Sequence, residues 1–301
     1  MMTTKLLATA ALSMSLFACV KQEEAPSDLK SALPTHEQVR INLPDGTTRT
    51  VGQLADYYVI TRNVTRTFNG SSAWVLILLH TIVQYPVTSV DGNVYTWGPW
   101  SDALDPAEYK LDVTDNGDGT YDYELSGKSK TAANSAFEVV ISGHADPRPG
   151  ELQGNGIFNI DFDAGRRVNP IDAGDDHGEV TVSYDLAKRH LDLDIIGVDD
   201  AGKPITAEYA YDETKDGAGK MSFGAKGDAG GGSQLESFQI VSNWASTGMG
   251  RSDAMATGGD IQATVSVSLT ECWDTNFKRT FYSDSQNFAP AEGSAASCIA
   301  K

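Results

Sequence analysis

Alternation of apolar and polar residues with a period of two dominates the chain after Pro86, and it restricts the fold more than any other feature. In segments 109–114 and 121–126 every second residue is Tyr, Leu or Val, which predicts β-strands with one apolar face. The segment 115–119 between them contains Asn-Gly and Asp-Gly dipeptides, whose glycines supply the positive φ that a tight hairpin needs. We therefore predict that these two strands pair as an antiparallel hairpin.

The same alternation recurs along most of the chain, in segments 158–162, 180–186, 191–195, 205–211, 221–223, 238–240 and 263–269. A polar opposite face is typical of antiparallel sheets, whereas parallel strands buried on both faces are apolar throughout. Four-residue connectors, at 187–190 and 216–219, are too short for crossover helices. The sequence predicts a mainly β fold: an antiparallel meander of about nine to eleven strands that closes as a barrel, half-barrel or sandwich.

The region before the strands has a helical period instead. Val51, Leu54 and Tyr57 are spaced three residues apart, and Asn69-Gly70 offers a helix stop. The apolar segment 73–83 is then either a buried core helix or a buried strand, and its length is too short for a membrane span. We expect one or two N-terminal helices that cover the sheet.

The first eighteen residues have the features of a secretory signal peptide. Lys5 is their only charged residue, and it precedes the apolar segment 6–18. The segment ends in Leu16-Phe17-Ala18-Cys19, which resembles the lipobox of bacterial lipoproteins, with Leu three residues before Cys and a small residue directly before it. The alternative is an ordinary signal-peptidase site near Cys19, which would leave the thiol unmodified.

This resemblance implies that residues 1–18 are removed and that the Cys19 thiol is diacylated. Acyl chains give stable membrane attachment when two or more are present, since each buried CH₂ contributes about 0.8 kcal/mol. The polar, Pro-containing segment 19–35 then serves as a flexible tether, and residues 36–301 form a single mainly β domain. In many lipoproteins an Asp after the Cys favours inner-membrane retention, so Val20 favours the outer membrane, facing the periplasm or the cell surface.

The charge balance narrows the class of partner. The chain has 23 Lys and Arg against 41 Asp and Glu, a formal net charge of −18, which disfavours nucleic acid and anionic lipid headgroups as partners. Hydrophobic residues make up 40% of the sequence, enough to form a core. The expected partners are the membrane, through acylated Cys19, and an envelope protein or a hydrophobic small molecule.

Cys272 and Cys298 are the two cysteines that remain once Cys19 is acylated. An even number of cysteines in an oxidising, exported compartment predicts one disulfide, which would hold the Ala- and Ser-rich C-terminal segment. Two free thiols are the alternative. A zinc site is less well supported, because neither cysteine has a second ligand at metal-binding spacing.

Sequence motifs do not predict a catalytic, metal or cofactor site. The turn 115–119 lacks the register of a calcium loop, and the acidic segment 172–176 is interpreted as solvated surface. His144 and His177 each lie near Asp residues in the sequence, so either could act in acid–base chemistry. A catalytic triad is a spatial arrangement, however, and sequence alone cannot assemble one.

The leading functional hypothesis is a non-catalytic binding or structural module of the cell envelope, anchored to the membrane as a lipoprotein. A lipid or hydrophobic-ligand carrier is the second hypothesis, and it predicts a connected apolar cavity. A hydrolase with an unrecognised site is the third, and it predicts a cleft with convergent polar groups.

Overall fold

The protein folds into one open antiparallel sheet preceded by a long helix. The computed structural model describes Pro26, Ser27, Lys30 and residues 54–150, 153–171, 177–198, 202–227, 234–259, 261 and 266–301. Within them, 15 strands form a single sheet in which each strand pairs with its neighbours in chain order. The predicted mainly β antiparallel meander is confirmed. The described strands include no ladder between the first and the last, so the sheet is not a closed barrel.

Helix α1 spans Asp56–Val83 and precedes every strand. The strands are β1 (Ser89–Asp91), β2 (Val94–Trp100), β3 (Ala107–Asp115), β4 (Tyr121–Ser129), β5 (Glu138–Asp146), β6 (Asn155–Asp161), β7 (Gly178–Asp185), β8 (His190–Val198), β9 (Pro204–Glu213), β10 (Gly219–Gly227), β11 (Glu236–Trp244), β12 (Gly250–Gly258), β13 (Val267–Trp273), β14 (Arg279–Asp284) and β15 (Glu292–Gly293). Helix α2 (Phe162–Val168) lies between β6 and β7, and a 3₁₀ turn at Ala295–Ser297 follows β15. The sheet thus has 15 strands, more than the nine to eleven predicted from the sequence.

The hairpin between β3 and β4 shows how local sequence fixes the pairing. Val113 lies opposite Tyr123 on the face that alternation predicts to be apolar, and both side chains are buried. In the turn Gly117 has φ of 76°, and its backbone N–H donates to the Asp115 side chain at 2.7 Å. The segment is thus a hairpin turn, as its dipeptides predict.

Helix α1 lies across one face of the sheet, which we call the inner face. Leu76 and Leu79 of the helix are fully buried in the main core. Phe68 stacks on Tyr209 of β9, with 5.0 Å between the ring centroids. Just after the helix, the Tyr85 carbonyl accepts a hydrogen bond from the indole N–H of Trp97 on β2, at 2.9 Å. The helix therefore connects strands from both halves of the sheet.

The helix continues through Asn69-Gly70, so the stop predicted there is wrong. Asn69 is buried, and its side-chain oxygen accepts a hydrogen bond of 3.0 Å from the Tyr209 hydroxyl. Apolar residues before and after this dipeptide pack on the same sheet, and this packing outweighs a weak local stop signal. The segment 73–83 is consequently helix, the first of its two predicted options.

Phe162 is a second local difference, because it begins helix α2 and does not extend β6 as predicted. The Asp161 side chain accepts a hydrogen bond from the Ala164 backbone N–H at 2.7 Å. An Asp at this position caps the first turn of a helix, so the strand ends there.

Several inner-face glycines lie directly opposite an aromatic residue of the neighbouring strand, whose ring covers them. The pairs are Gly127–Tyr109, Gly143–Tyr123, Gly156–Tyr184, Gly219–Trp244 and Gly250–Trp273. A Cβ atom at any of these glycines would overlap the ring. These glycines are therefore required by packing, in the way that aromatic side chains commonly cover glycines in sheets.

Several sequence predictions fall outside the described residues. They are the signal peptide 1–18, the acylated Cys19, nearly all of the tether 19–35 and the acidic segment 172–176. Among the helices that the structure describes, none combines the length and the apolar character of a membrane-spanning segment.

Candidate functional site

A groove on the outer face of the sheet, centred on Gly224 in β10, is the candidate functional site. Phe223 packs against the core on the inner face, so strand alternation places Gly224 on the opposite, outer face. Gly224 lies opposite Glu208 of β9 on one side and opposite Gln239 of β11 on the other. We call this depression the Gly224 groove.

The groove exists because Gly224 has no side chain. Among the described residues, a Cβ atom there would have only the Phe238 carbonyl oxygen within 4 Å, at 3.9 Å, and no aromatic ring lies within that distance. Gly224 thus differs from the inner-face glycines that lie beneath Tyr or Trp rings. A strand-interior glycine without a packing role often marks a close approach by a ligand or another backbone.

Two parallel rows of outward-facing residues border the groove across strands β9 to β12. One row is Glu208, Gly224, Gln239 and Met255, and the other is Thr206, Lys226, Ser237 and Thr257. The groove is shallow and open to solvent, and its volume of about 320 Å³ is at the lower end of the range of small-molecule sites, about 300–1,000 Å³.

The polar side chains of the groove have no partners in the part of the chain that the structure describes. The carboxylate of Glu208, the ammonium group of Lys226 and the amide of Gln239 form no hydrogen bond or ion pair there. The hydroxyls of Thr206 and Ser237 likewise form none. Both donors and acceptors therefore remain available to a bound molecule.

Histidine–carboxylate pairs occupy other parts of the surface. His144 Nδ1 lies 2.6 Å from Asp122 Oδ1, and His177 Nδ1 lies 2.7 Å from Asp163 Oδ1. The hydrogen bond with His177 is the main reason that the pKa of Asp163 is lowered. Within the described residues no hydroxyl or thiol hydrogen-bonds to either ring, so neither pair forms the nucleophile–base arrangement of covalent catalysis.

His190 has a carboxylate at each ring nitrogen. Its Nδ1 lies 2.6 Å from Asp212 Oδ1 and its Nε2 lies 2.6 Å from Asp192 Oδ2. Burial of the ring opposes protonation, but the two hydrogen bonds outweigh it and raise the pKa of His190. Across the described residues there is no group of three or more His, Cys, Asp or Glu that could hold a metal ion.

A cluster of buried hydroxyls joins helix α1 to the inner face. Ser242 and Ser252 lie opposite each other on β11 and β12, and both are fully buried. Thr61 Oγ1 lies 2.6 Å from Ser242 Oγ and donates to the Tyr57 carbonyl. These hydroxyls satisfy one another and the helix backbone, so we interpret the cluster as a helix-docking contact.

The predicted disulfide between Cys272 and Cys298 agrees with the geometry of the structure. The sulfur atoms of Cys272 and Cys298 lie 2.02 Å apart, with their Cα atoms 5.4 Å apart, which is the geometry of a disulfide. The bridge attaches the C-terminal segment to strand β13.

The Gly224 groove is not among the sites predicted from the sequence. A glycine within an alternating strand pattern is the one available signal, because such a glycine indicates a bulge or a close backbone approach. No protein-family model, curated protein or solved structure matches the chain. The groove must accordingly be interpreted from its own chemistry.

Proposed function

We propose that the chain is a lipid-anchored bacterial envelope protein whose β domain is a non-catalytic binding module. The anchor is supported by the lipobox-like residues that end at Cys19. The binding role is supported by the Gly224 groove. The observation that carries it is a set of side chains with no hydrogen-bond partner among the described residues, arranged around a glycine that packing does not require.

The chemistry of the groove favours binding over catalysis. Its hydroxyls, on Thr206, Ser237 and Thr257, have no histidine beside them among the lining residues. Among the described lining residues Glu208 is the single carboxylate, whereas the acid–base mechanism of glycoside hydrolases uses a pair of carboxylates. The lining groups can orient a ligand but do not form an activated nucleophile.

The carrier hypothesis receives less support, because helix α1 lies on the inner face where a hydrophobic ligand would bind. Val75, Leu76, Leu79 and Val83 are all fully buried there. A ligand would have to displace these side chains, and exposing each would cost about 1.5–3 kcal/mol. Native mass spectrometry of the soluble Cys19→Ala protein tests this point: the binding-module proposal predicts no copurifying lipid, and a stoichiometric, noncovalently bound lipid would favour a carrier.

Membrane fractionation tests the anchor. We expect the wild-type protein in the membrane fraction, with an N-terminal peptide that carries a diacylglyceryl thioether on Cys19. Cys19→Ala should remove this modification and release the protein, whereas Val20→Ala, which leaves the lipobox intact, should do neither. A free, unacylated Cys19 in the wild-type N-terminal peptide would refute the anchor.

A further inference from the structure

We infer that the Gly224 groove binds a neutral saccharide. This inference rests on the proposed function, because it names the ligand class of the binding module. Three properties of the groove support it: its charge, its hydrogen-bonding groups and its shape.

The charges around the groove favour a neutral ligand. Glu208 and Lys226 contribute one charge of each sign, and Asp194 of β8 lies directly opposite Glu208 on the outer face. The chain as a whole has a formal net charge of −18. Anionic ligands such as phosphates are therefore repelled, and the described lining, with one charge of each sign, has no net charge that would select a simple cation.

The hydrogen-bonding groups favour a ligand with many hydroxyls. An apolar ligand would cover Gln239, Ser237 and Thr206 and leave their polar atoms unpaired, which is unfavourable. Sugar hydroxyls both donate and accept, so they can pair with an amide, a carboxylate, an ammonium group and hydroxyls together. The groove offers all four types.

The shape of the groove fits a sugar ring. Gly224 provides a flat floor on the sheet, and Met255 contributes an exposed apolar side chain at one border. A saccharide ring has an apolar C–H face that can lie on such a surface while its hydroxyls point to the borders. The volume of about 320 Å³ accommodates a mono- or disaccharide.

Methionine methyl NMR of the purified protein in detergent gives a direct test. Met255 is 43% exposed and borders the groove, whereas Met221 is fully buried in the core and serves as an internal reference. We expect the Met255 methyl signal, assigned with Met255→Leu, to shift in a saturable way with maltose or N,N′-diacetylchitobiose. The Met221 signal should not shift.

Two glycine substitutions on β10 provide the matched comparison. Gly224→Val fills the groove from a position where a Cβ atom meets only one atom within 4 Å, at 3.9 Å, so the fold should tolerate it. Gly227→Val is a control on the same strand, where a Cβ atom would meet no atom of the described residues within 4 Å. Gly224→Val should abolish the Met255 shift, and Gly227→Val should retain it. Gln239→Leu should weaken binding about tenfold, the effect of losing one hydrogen bond.

The outcomes separate this inference from the proposed function. If neither disaccharide shifts the Met255 signal, the saccharide assignment is overturned. It is also overturned if the signal shifts equally in Gly224→Val and in the wild-type protein. A shift with the zwitterionic dipeptide Ala-Ala but with neither sugar would also overturn it and leave a binding module of another specificity. The lipid anchor is tested separately by membrane fractionation, so an absent anchor would not change the outcome of the NMR titration.

Discussion

The Glu271 carboxylate accepts a hydrogen bond from the Tyr57 backbone N–H at 2.7 Å and so caps the first turn of helix α1 from strand β13. Ala55, which precedes the helix, has no side chain that can cap it. The Arg279 guanidinium donates to both Glu271 and Asp56, at 2.8 and 2.6 Å. Burial raises the pKa of Glu271 even though Arg279 and the hydrogen bond from Tyr57 lower it. The start of the helix is therefore fixed by tertiary contacts.

Replacing Glu271 should test this arrangement. Glu271→Ala leaves Arg279 without its buried partner, and breaking a buried pair from one side costs about 3–5 kcal/mol. Glu271→Gln should cost less, because the amide oxygen can still accept the hydrogen bond from Tyr57. Urea unfolding monitored by circular dichroism would measure both. Glu292→Ala, which removes a half-exposed partner 3.8 Å from Arg279, is the control and should cost less than about 1 kcal/mol.

Glycine-to-alanine substitutions should distinguish the glycines that packing requires from Gly224 in the groove. Gly250→Ala puts a Cβ atom into the Trp273 ring, which also donates to the Gly248 carbonyl at 2.9 Å. Overpacking of this kind costs about 1–3 kcal/mol. Gly224→Ala should instead stabilise the protein by about 0.5–1 kcal/mol, since the space is open and alanine suits a strand interior better than glycine. Equal loss of stability in both variants, measured by thermal unfolding, would contradict this distinction.

Two buried tyrosines should show how much a hydrogen bond from a buried hydroxyl contributes to the free energy of unfolding. The hydroxyl of Tyr184 is buried with no hydrogen-bond partner among the described residues, and burial raises its pKa. The hydroxyl of Tyr209 donates to Asn69. Tyr184→Phe should leave stability unchanged or raise it, whereas Tyr209→Phe should lower the free energy of unfolding by about 1 kcal/mol. If denaturant titrations show that Tyr184→Phe lowers the free energy of unfolding more than Tyr209→Phe, the Tyr184 hydroxyl has a favourable contact.

Stability should depend on pH through His190. Its pKa is raised in the folded protein, so the charged ring stabilises the fold fully below its unfolded pKa of about 6.5. This contribution is lost as the pH rises through the folded pKa. His190→Gln should therefore reduce the free energy of unfolding at pH 5.5 more than at pH 8.5. A difference between the two proteins that stays constant over this interval would exclude His190 as the source.

The disulfide should contribute through the loop that it closes. Cys272 and Cys298 lie 26 positions apart in the sequence, and for a loop of this length the chain-entropy model gives about 3–4 kcal/mol. The double variant Cys272→Ser and Cys298→Ser should lose this amount in urea unfolding under non-reducing conditions. The same variant and the reduced wild-type protein should have similar stability, and a large difference between them would point to an effect of the serines.

The alternating pattern predicts the meander well where the inner residues are large, as in β3 and β4. It fails for β12, whose inner positions include Gly250, Ser252 and Ala254. These residues are small because Trp273 covers the glycine and helix α1 approaches the sheet at the serine. The packing of a distant helix thus removes the apolar signal that sequence analysis needs.

The Gly224 groove could not be predicted, for a related reason. Its residues lie on four strands, and only the exact register brings Glu208, Gly224 and Gln239 into one row. A shift of one residue in any strand would place the corresponding side chain on the inner face. Sequence alternation assigns each residue to a face but does not fix which residues lie side by side.

The two outermost strands are very short: β1 has 3 residues and β15 has 2. A long unpaired strand edge is a template on which a second chain can add its own strand. Here each terminal strand offers too few backbone groups for such growth. The short terminal strands therefore limit the addition of a second chain at the two ends of this open sheet.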